Sequence, residues 1–384
     1  MQISVESVRA EMSQIPFAEL RTWIFQDALP FWAAAGVDHE HGGFREEVGP
    51  DGLATAAPFK RVRAMCRQTY VFSHAALLGW KEGEAHSTRG YEFLVSNVRL
   101  QDGWARLLTR DGAPSDTRQD LYDLAFVLFA MVWRYKLTRD PEALAHAHAI
   151  LDFIDTRMRH GEGFLHALPA EGPRLQNPHM HLFEATLAGF EATQDERFLG
   201  FAHELAALFK SRLFDGLTLG ERFNEDWTRR TDEAGRVLEP GHQFEWAWIL
   251  GLYQKLSGVN ATREAEALVS FAELHGVDPK TQAVYDAIDE GGAPLKTSSR
   301  TWPNTERVKG WLALYELTGR DPRAAVAGSC RLLLDRYLAA PAPRGSWIDH
   351  FDADGRALAQ AAPASTFYHL FLAFTEVLRF EGRL

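Results

Sequence analysis

Two histidines stand where proton transfer to and from a bound molecule would be possible. His242 lies in Pro240-Gly241-His242-Gln243-Phe244-Glu245-Trp246, and His369 follows Phe367-Tyr368. Imidazole is the side chain whose ordinary pKa lies nearest neutrality, so a pair of histidines can serve as general acid and base. Glu245, one helical turn after His242, could orient that ring or act itself. Further polar groups unsuited to a core recur along the chain: Arg67 with Gln68; Asp120, Tyr122 and Asp123; Asn177, His179, His181 and Glu184; Trp302, Asn304 and Glu306; Ser365 and Tyr368. An arginine in such company can hold an oxyanion. Aromatic faces with polar edges, as at Trp246 and Trp302, suit sugar rings with apolar C–H faces and hydroxyl rims. The candidate catalytic pair is therefore His242 and His369. The candidate binding and supporting residues are Arg67, Tyr122, His181, Glu184, Glu245, Trp246, Trp302 and Glu306.

These groups need a scaffold that brings them together, and an internal repeat supplies one. A stretch running from an aromatic or apolar residue to an acidic or small residue plus Gly occurs six times. It ends at Gly52, Gly112, Gly172, Gly235, Gly291 and Gly355, at intervals of 60, 60, 63, 56 and 64 residues. Each stretch reads as a short β-hairpin turning on its glycine. Between them, apolar residues at i, i+3, i+4 and i+7 predict twelve helices, near 17–35, 61–82, 86–98, 118–137, 141–158, 178–193, 196–211, 242–257, 260–275, 302–318, 321–338 and 364–381. Links from even to odd helices are short, as in Thr138-Arg139-Asp140, whereas links from odd to even are long and carry the hairpins. Six helical hairpins of this kind close into an all-α, (α/α)6 barrel of 1–384 as one domain, with short β-hairpin loops on one rim. Every polar cluster above opens an even helix at the long-loop rim, where loops on a rigid scaffold carry function. With the even helices inside, the clusters converge on one cavity. The helix N-termini there would favour anionic intermediates and keep nearby histidines neutral.

Other titratable groups take plainer readings. His74, His146, His148 and His203 read as structural histidines, and Asp38-His39-Glu40-His41 as solvated surface. His179 and His181 are two residues apart and cannot both face the cavity, which favours His181 as a binding residue and leaves His179 as a cap. No third ligand has helical spacing with that pair, so no metal and no cofactor are expected. The net charge of −11 argues against a nucleic-acid surface. No apolar run reaches about 18 residues, which predicts no membrane span. The first residues carry charges at Glu6, Arg9 and Glu11 and read as no signal peptide. Two cysteines fit no disulfide framework and point to the reducing cytoplasm.

Taken together, Arg67-Gln68-Thr69-Tyr70-Val71-Phe72-Ser73, Asp120-Leu121-Tyr122-Asp123-Leu124-Ala125-Phe126, Asn177-Pro178-His179-Met180-His181-Leu182-Phe183-Glu184, the His242 segment, Trp302-Pro303-Asn304-Thr305-Glu306 and the His369 segment resemble the N-acylglucosamine 2-epimerase superfamily. The resemblance spans the second helix to the last and implies an (α/α)6 barrel acting at C2 of a sugar without a metal. It implies that His242 and His369 are the acid/base residues and that Arg67 stabilises the enediolate. His181 would assist ring opening or bind the sugar, with Glu245 and Glu306 in support. The Trp302-Pro303-Asn304-Thr305-Glu306 form is similar to mannose isomerase-like members. It lacks the Trp-Trp-x-x-x-Glu and Pro-His-x-Glu forms of the cellobiose and N-acylglucosamine enzymes, and no Gly-rich nucleotide loop is present. The expected activity is thus isomerisation of a free aldose, D-mannose to D-fructose, by a monomer or homodimer whose partner is the sugar alone. A 2-epimerase uses the same residues, since a cis-enediolate can be protonated at C1 or at either face of C2. Readings of another class are an inverting glycosidase, needing two carboxylates about 6.5–9.5 Å apart, and a non-catalytic sugar-binding protein.

Overall fold

The computed structural model describes residues 14–384. All twelve expected helices are present: α1 (17–35), α2 (Val62–Leu77), α3 (83–98), α4 (Leu121–Thr138), α5 (141–158), α6 (Gln176–Thr193), α7 (196–213), α8 (Pro240–Ser257), α9 (Thr262–His275), α10 (Thr301–Thr318), α11 (323–337) and α12 (364–379, opening with one 3-10 turn). α2 ends at Leu77, earlier than its apolar pattern suggests, because the chain leaves the helix through Gly79 at φ +98°.

The even helices are apolar on nearly every side, and such a helix must be covered all round. Residues 123–133 of α4 are all buried. α2, α4, α6, α8, α10 and α12 each pack on the next, and α12 returns to α2, closing an inner ring. The amphipathic odd helices cover it from outside: α3 on α2, α5 on α4, α7 on α6, α9 on α8, α11 on α10 and α1 on α12.

One turn design serves most of the short links. Arg139, Gln194, Gly258 and Gly319 each take the left-handed conformation just after an inner helix, with φ between +58° and +76°. The last hydroxyl of the helix then accepts the next N–H but one: Thr138 from Asp140, Thr193 from Asp195, Ser257 from Val259 and Thr318 from Arg320, all at 3.1–3.2 Å. Asp140 and Asp195 go on to cap the following outer helix.

The long loops follow the expectation of six short hairpins in part, and add pairing between repeats. Local hairpins form at Leu107–Thr109 with Pro114–Asp116, and at Ala287–Asp289 with Pro294–Lys296. Single local bridges also join Val48 to Ala54, Phe223 to Arg229 and Phe351 to Ala357, while the other strand ladders run between neighbouring repeats. Phe59–Arg61 pairs with Leu107–Thr109, Gln119–Asp120 with Ala167–Leu168, Arg174–Leu175 with Arg222–Phe223, Val237–Leu238 with Ala287–Asp289, and Ser299–Arg300 with His350–Phe351. Glu47–Val48 pairs with Ala362–Pro363 and joins the first repeat to the last. Strands of two or three residues are too short to stand alone, and all but Pro114–Asp116 and Pro294–Lys296 find a partner in an adjacent repeat. Gly52, Gly112, Gly172 and Gly355 have the expected positive φ, but Gly235 and Gly291 do not; Gly292, at +85°, takes that role in the fifth repeat. The Asp38 segment is also corrected. Its carboxylate is buried against Lys60 Nζ at 2.8 Å and accepts the N–H groups of Glu40 and His41, so both Asp38 and Lys60 serve the loop.

Candidate active site

The site repeats one helical position around the inner ring. Counting from the first residue of each inner helix, the sixth is Arg67, Phe126, His181, Glu245, Glu306 and, in α12, His369. These six side chains form a continuous ring across the barrel axis. The Arg67 guanidinium lies 4.2 Å from the Phe126 ring centre, and the Phe126 and His181 centres are 4.6 Å apart. Nitrogen and oxygen atoms of His181, Glu184 and Glu245 lie within 4.8 Å of one another, as do those of Glu245, Glu306 and His369. Above the ring, toward the long loops, stand Tyr122, Asn177, His242, Trp302 and Ser365. Together with members of the ring they line a cavity of about 290 Å³, whose mouth is bounded by Arg61, Glu239, Arg300 and Asp349. That volume is at the small end for ligand pockets. The Trp302 indole spans the two catalytic candidates, 5.0 Å from the His242 ring and 5.7 Å from that of His369.

The two histidines are set to opposite charge. His242 Nδ1 lies 3.1 and 3.0 Å from the two oxygens of Glu221, which Gln176 Nε2 and the Glu239 N–H also hold. Burial opposes a charge on His242, but Glu221 and then Glu239 outweigh it and push the ring up to about 9. An imidazolium that gives Nδ1–H to Glu221 has Nε2–H left to donate. The Asn177 amide sits 3.2 Å from Nε2, and its Oδ1 is otherwise buried without a partner among the described residues. The network is satisfied when that oxygen faces the ring. His369 Nδ1 is 2.8 Å from Glu306 Oε1, which leaves Nε2 as a lone pair. Burial, then the charges of Arg67 and Lys309, hold this ring well below the ordinary imidazole range. His181 is lowered to about 4, chiefly by burial, and its Nδ1 lies 3.2 Å from Glu184. Arg67 donates to Tyr122 Oη at 2.8 Å and to the Ser365 carbonyl at 3.4 Å, so its charge meets no carboxylate among the described residues.

Residues 42–373 match the family model for N-acylglucosamine 2-epimerase. The chain is 34% identical over 372 residues to a mannose-6-phosphate isomerase of Rhizobium meliloti, covering 94% of this chain and 96% of the relative. It is 31% identical over 378 residues to a D-mannose isomerase of Thermobifida fusca, covering 85% and 90%. The chain belongs to the N-acylglucosamine 2-epimerase family. In fold it is similar to the cellobiose 2-epimerase of Bacillus thermoamylovorans, with a TM-score of 0.85 at 23% identity over 94% of this chain and 98% of that one. As a member of this family the protein is a sugar isomerase or epimerase.

Within this epimerase-family barrel, several side chains stand elsewhere than the sequence suggests. Trp246 is fully buried and does not line the cavity; it stacks on Phe209 at 4.6 Å and donates Nε1–H to Gln176 Oε1 at 2.6 Å. It follows Glu245 directly, and adjacent helical residues point about 100° apart. Glu184 lies one turn deeper than His181, where it bonds His181 and Tyr368 Oη and faces a second cavity of about 490 Å³ at the short-turn end. His179 is a scaffold residue. It accepts the Phe164 N–H at 3.1 Å, as Gln243 accepts that of Leu219 and Asn304 that of Val284, and all three are the fourth residue of an inner helix. Asp123 is taken up by Arg63 in two bonds of 3.0 Å.

Two important residues were not foreseen. Glu221 sits in a loop strand 21 residues before His242 and carries no helical-spacing signal. Lys309 is three residues after Glu306 on the same face, a spacing that could have revealed it; its Nζ lies 2.6 Å from Glu306. Three acidic clusters among the described residues have the compactness of a cation site, and two of them already hold a cation of the chain: Lys309 at Glu306 and the His242 imidazolium at Glu221. The closeness of Glu245 and Glu306, within 4.8 Å, is shorter than the separation of about 6.5–9.5 Å that an inverting glycosidase requires.

Proposed function

We propose that the protein interconverts free D-mannose and D-fructose as a single-domain cytoplasmic enzyme, with His369 as base and His242 as acid. The observation that carries this reading is the pair of oppositely poised histidines on either side of Trp302. Such separation of two titrating groups is how one site supplies an acid and a base at the same pH. In the open-chain sugar, His369 Nε2 takes the proton from C2 while His242 gives one to O1, forming a cis-enediol. His369 then returns its proton to C1, and His242 takes one from O2, leaving the ketose. Arg67 offers a full charge to the developing oxyanion, and His181 is placed to move a proton between O1 and the ring oxygen at opening.

Two further observations support a free monosaccharide. The cavity is small, and each arginine at its mouth is matched, Arg61 by Glu46 and Arg300 by Asp286 and Glu239. Among the described residues, the cavity's arginine without a carboxylate is Arg67, which lies deeper, in the ring. The relative at 34% identity, named for a phosphorylated mannose, favours the second reading, D-mannose 6-phosphate. Parallel incubations with mannose, mannose 6-phosphate, cellobiose and N-acetylglucosamine, followed by chromatography, separate these. Fructose should form fastest, and His242→Asn and His369→Asn should each lower its rate by about 10²–10⁴-fold. Faster turnover of the phosphate ester would replace the free sugar, and faster 2-epimerisation would replace isomerisation.

A further inference from the structure

We infer that Glu245 meets the substrate as a neutral carboxylic acid, donating a hydrogen bond to the oxygen on which negative charge develops as the enediol forms. The inference rests on the acid/base reading above and adds a second, uncharged donor to Arg67.

The geometry divides the labour between two neighbouring carboxyl groups of the ring. Glu306 holds the partners: an ion pair with Lys309, Nζ at 2.6 Å from Oε2, and hydrogen bonds to Oε1 from His369 Nδ1–H at 2.8 Å and Thr305 Oγ1 at 3.3 Å. Glu245 receives none, and its Oε1 is buried without a hydrogen-bond partner among the described residues. Two buried carboxylates with oxygens within 4.8 Å, sharing one set of donors, cannot both ionise cheaply. The proton therefore resides on the group that lacks donors. Glu245 lines the substrate cavity.

The charges nearby lead to the same assignment. The groups facing Glu245 are Arg67 of α2, Tyr122 of α4, His181 and Glu184 of α6, His242 of its own helix, Glu306 and Lys309 of α10, and Tyr368 and His369 of α12. With Glu221 counted beside His242, and Glu239 set against its partner Arg300, the cations are Arg67, Lys309 and His242 and the anions are Glu184, Glu221 and Glu306. Three balance three only when Glu245 is uncharged. Burial first, then the charge of Glu306, keep its carboxyl protonated up to about 8; burial raises Glu306 too, but there Lys309 above all opposes the rise, which leaves the proton with Glu245. A neutral acid in such a place is a useful oxyanion donor, because it need not surrender a proton to stabilise the charge.

Glu245→Gln tests this, since an amide keeps the shape and an N–H donor but cannot ionise. The rate of the Gln variant at pH 7 should stay within about tenfold of the wild type, while Glu245→Ala loses about 10²–10³-fold, as expected for removal of an oxyanion donor. The alkaline fall in kcat near pH 8 should move out toward pH 9 in the Gln variant. Infrared spectra of the folded enzyme at pH 7 should show the carbonyl stretch of a protonated carboxyl, which Glu245→Gln removes and which fades as pH passes 8. An inactive but folded Gln variant beside an active Glu245→Asp, or an unmoved alkaline limb, would overturn the inference. His369→Asn serves as the control: if it stays active, the acid/base reading itself fails.

Discussion

Replacing Glu221 by glutamine should turn His242 from an acid available across the neutral range into one available only in acid. Both oxygens of Glu221 lie within 3.1 Å of His242 Nδ1, and the substitution removes their charge while nearly preserving shape. The ordinary imidazole value is 6.5 and the folded protein holds this ring to about 9. At 1.36 kcal/mol per pKa unit this is a preference of roughly 3 kcal/mol for the protonated ring. Without Glu221, burial is opposed mainly by Glu239, and the ring should return to 6.5 or lower. At pH 8 the protonated fraction then falls from about nine-tenths to about 3%, so turnover should drop roughly 30-fold. At pH 5.5 the ring is mostly charged in both enzymes and the loss should be several-fold at most. The fall near pH 8 ascribed to Glu245 is common to both and cancels in their ratio. The assay is kcat/KM for mannose at half-unit steps from pH 5 to 9.5. A loss equal at every pH, or none, would refute the argument that Glu221 acts by holding the His242 proton.

The same pair makes stability depend on pH. Folded His242 keeps its proton to about 9, whereas the unfolded chain releases it near 6.5. The contribution of the pair is thus complete below 6.5 and lost as pH rises to 9, so calorimetric Tm should fall across that window more steeply in the wild type than in Glu221→Gln. His179→Gln should retain activity, because Gln243 makes the equivalent bond in the next repeat. His179→Ala leaves the buried Phe164 N–H without an acceptor and should cost about 1–3 kcal/mol in denaturant melts.

What the sequence made legible follows from how the site is built. Arg67, His181, Glu245, Glu306 and His369 sit at one depth of inner helices that recur about every 60 residues, so periodicity alone brings them to one level of the barrel. The helices themselves were readable because each must bury an apolar stripe or be covered all round. Trp246 misled because it is aromatic beside Glu245, and only the 100° step of the helix shows that it points into the core. Strand pairing between repeats was hidden, since segments of two or three residues carry no period of their own. The charge of His242 was hidden for a further reason. A helix N-terminus carries about half a positive charge and should by itself keep an imidazole neutral. Glu221 brings a full negative charge to 3.0 Å through a loop strand that no spacing connects to His242. The larger and nearer charge prevails, and the residue that sets the acid of this site is one that only the closed ring brings within reach.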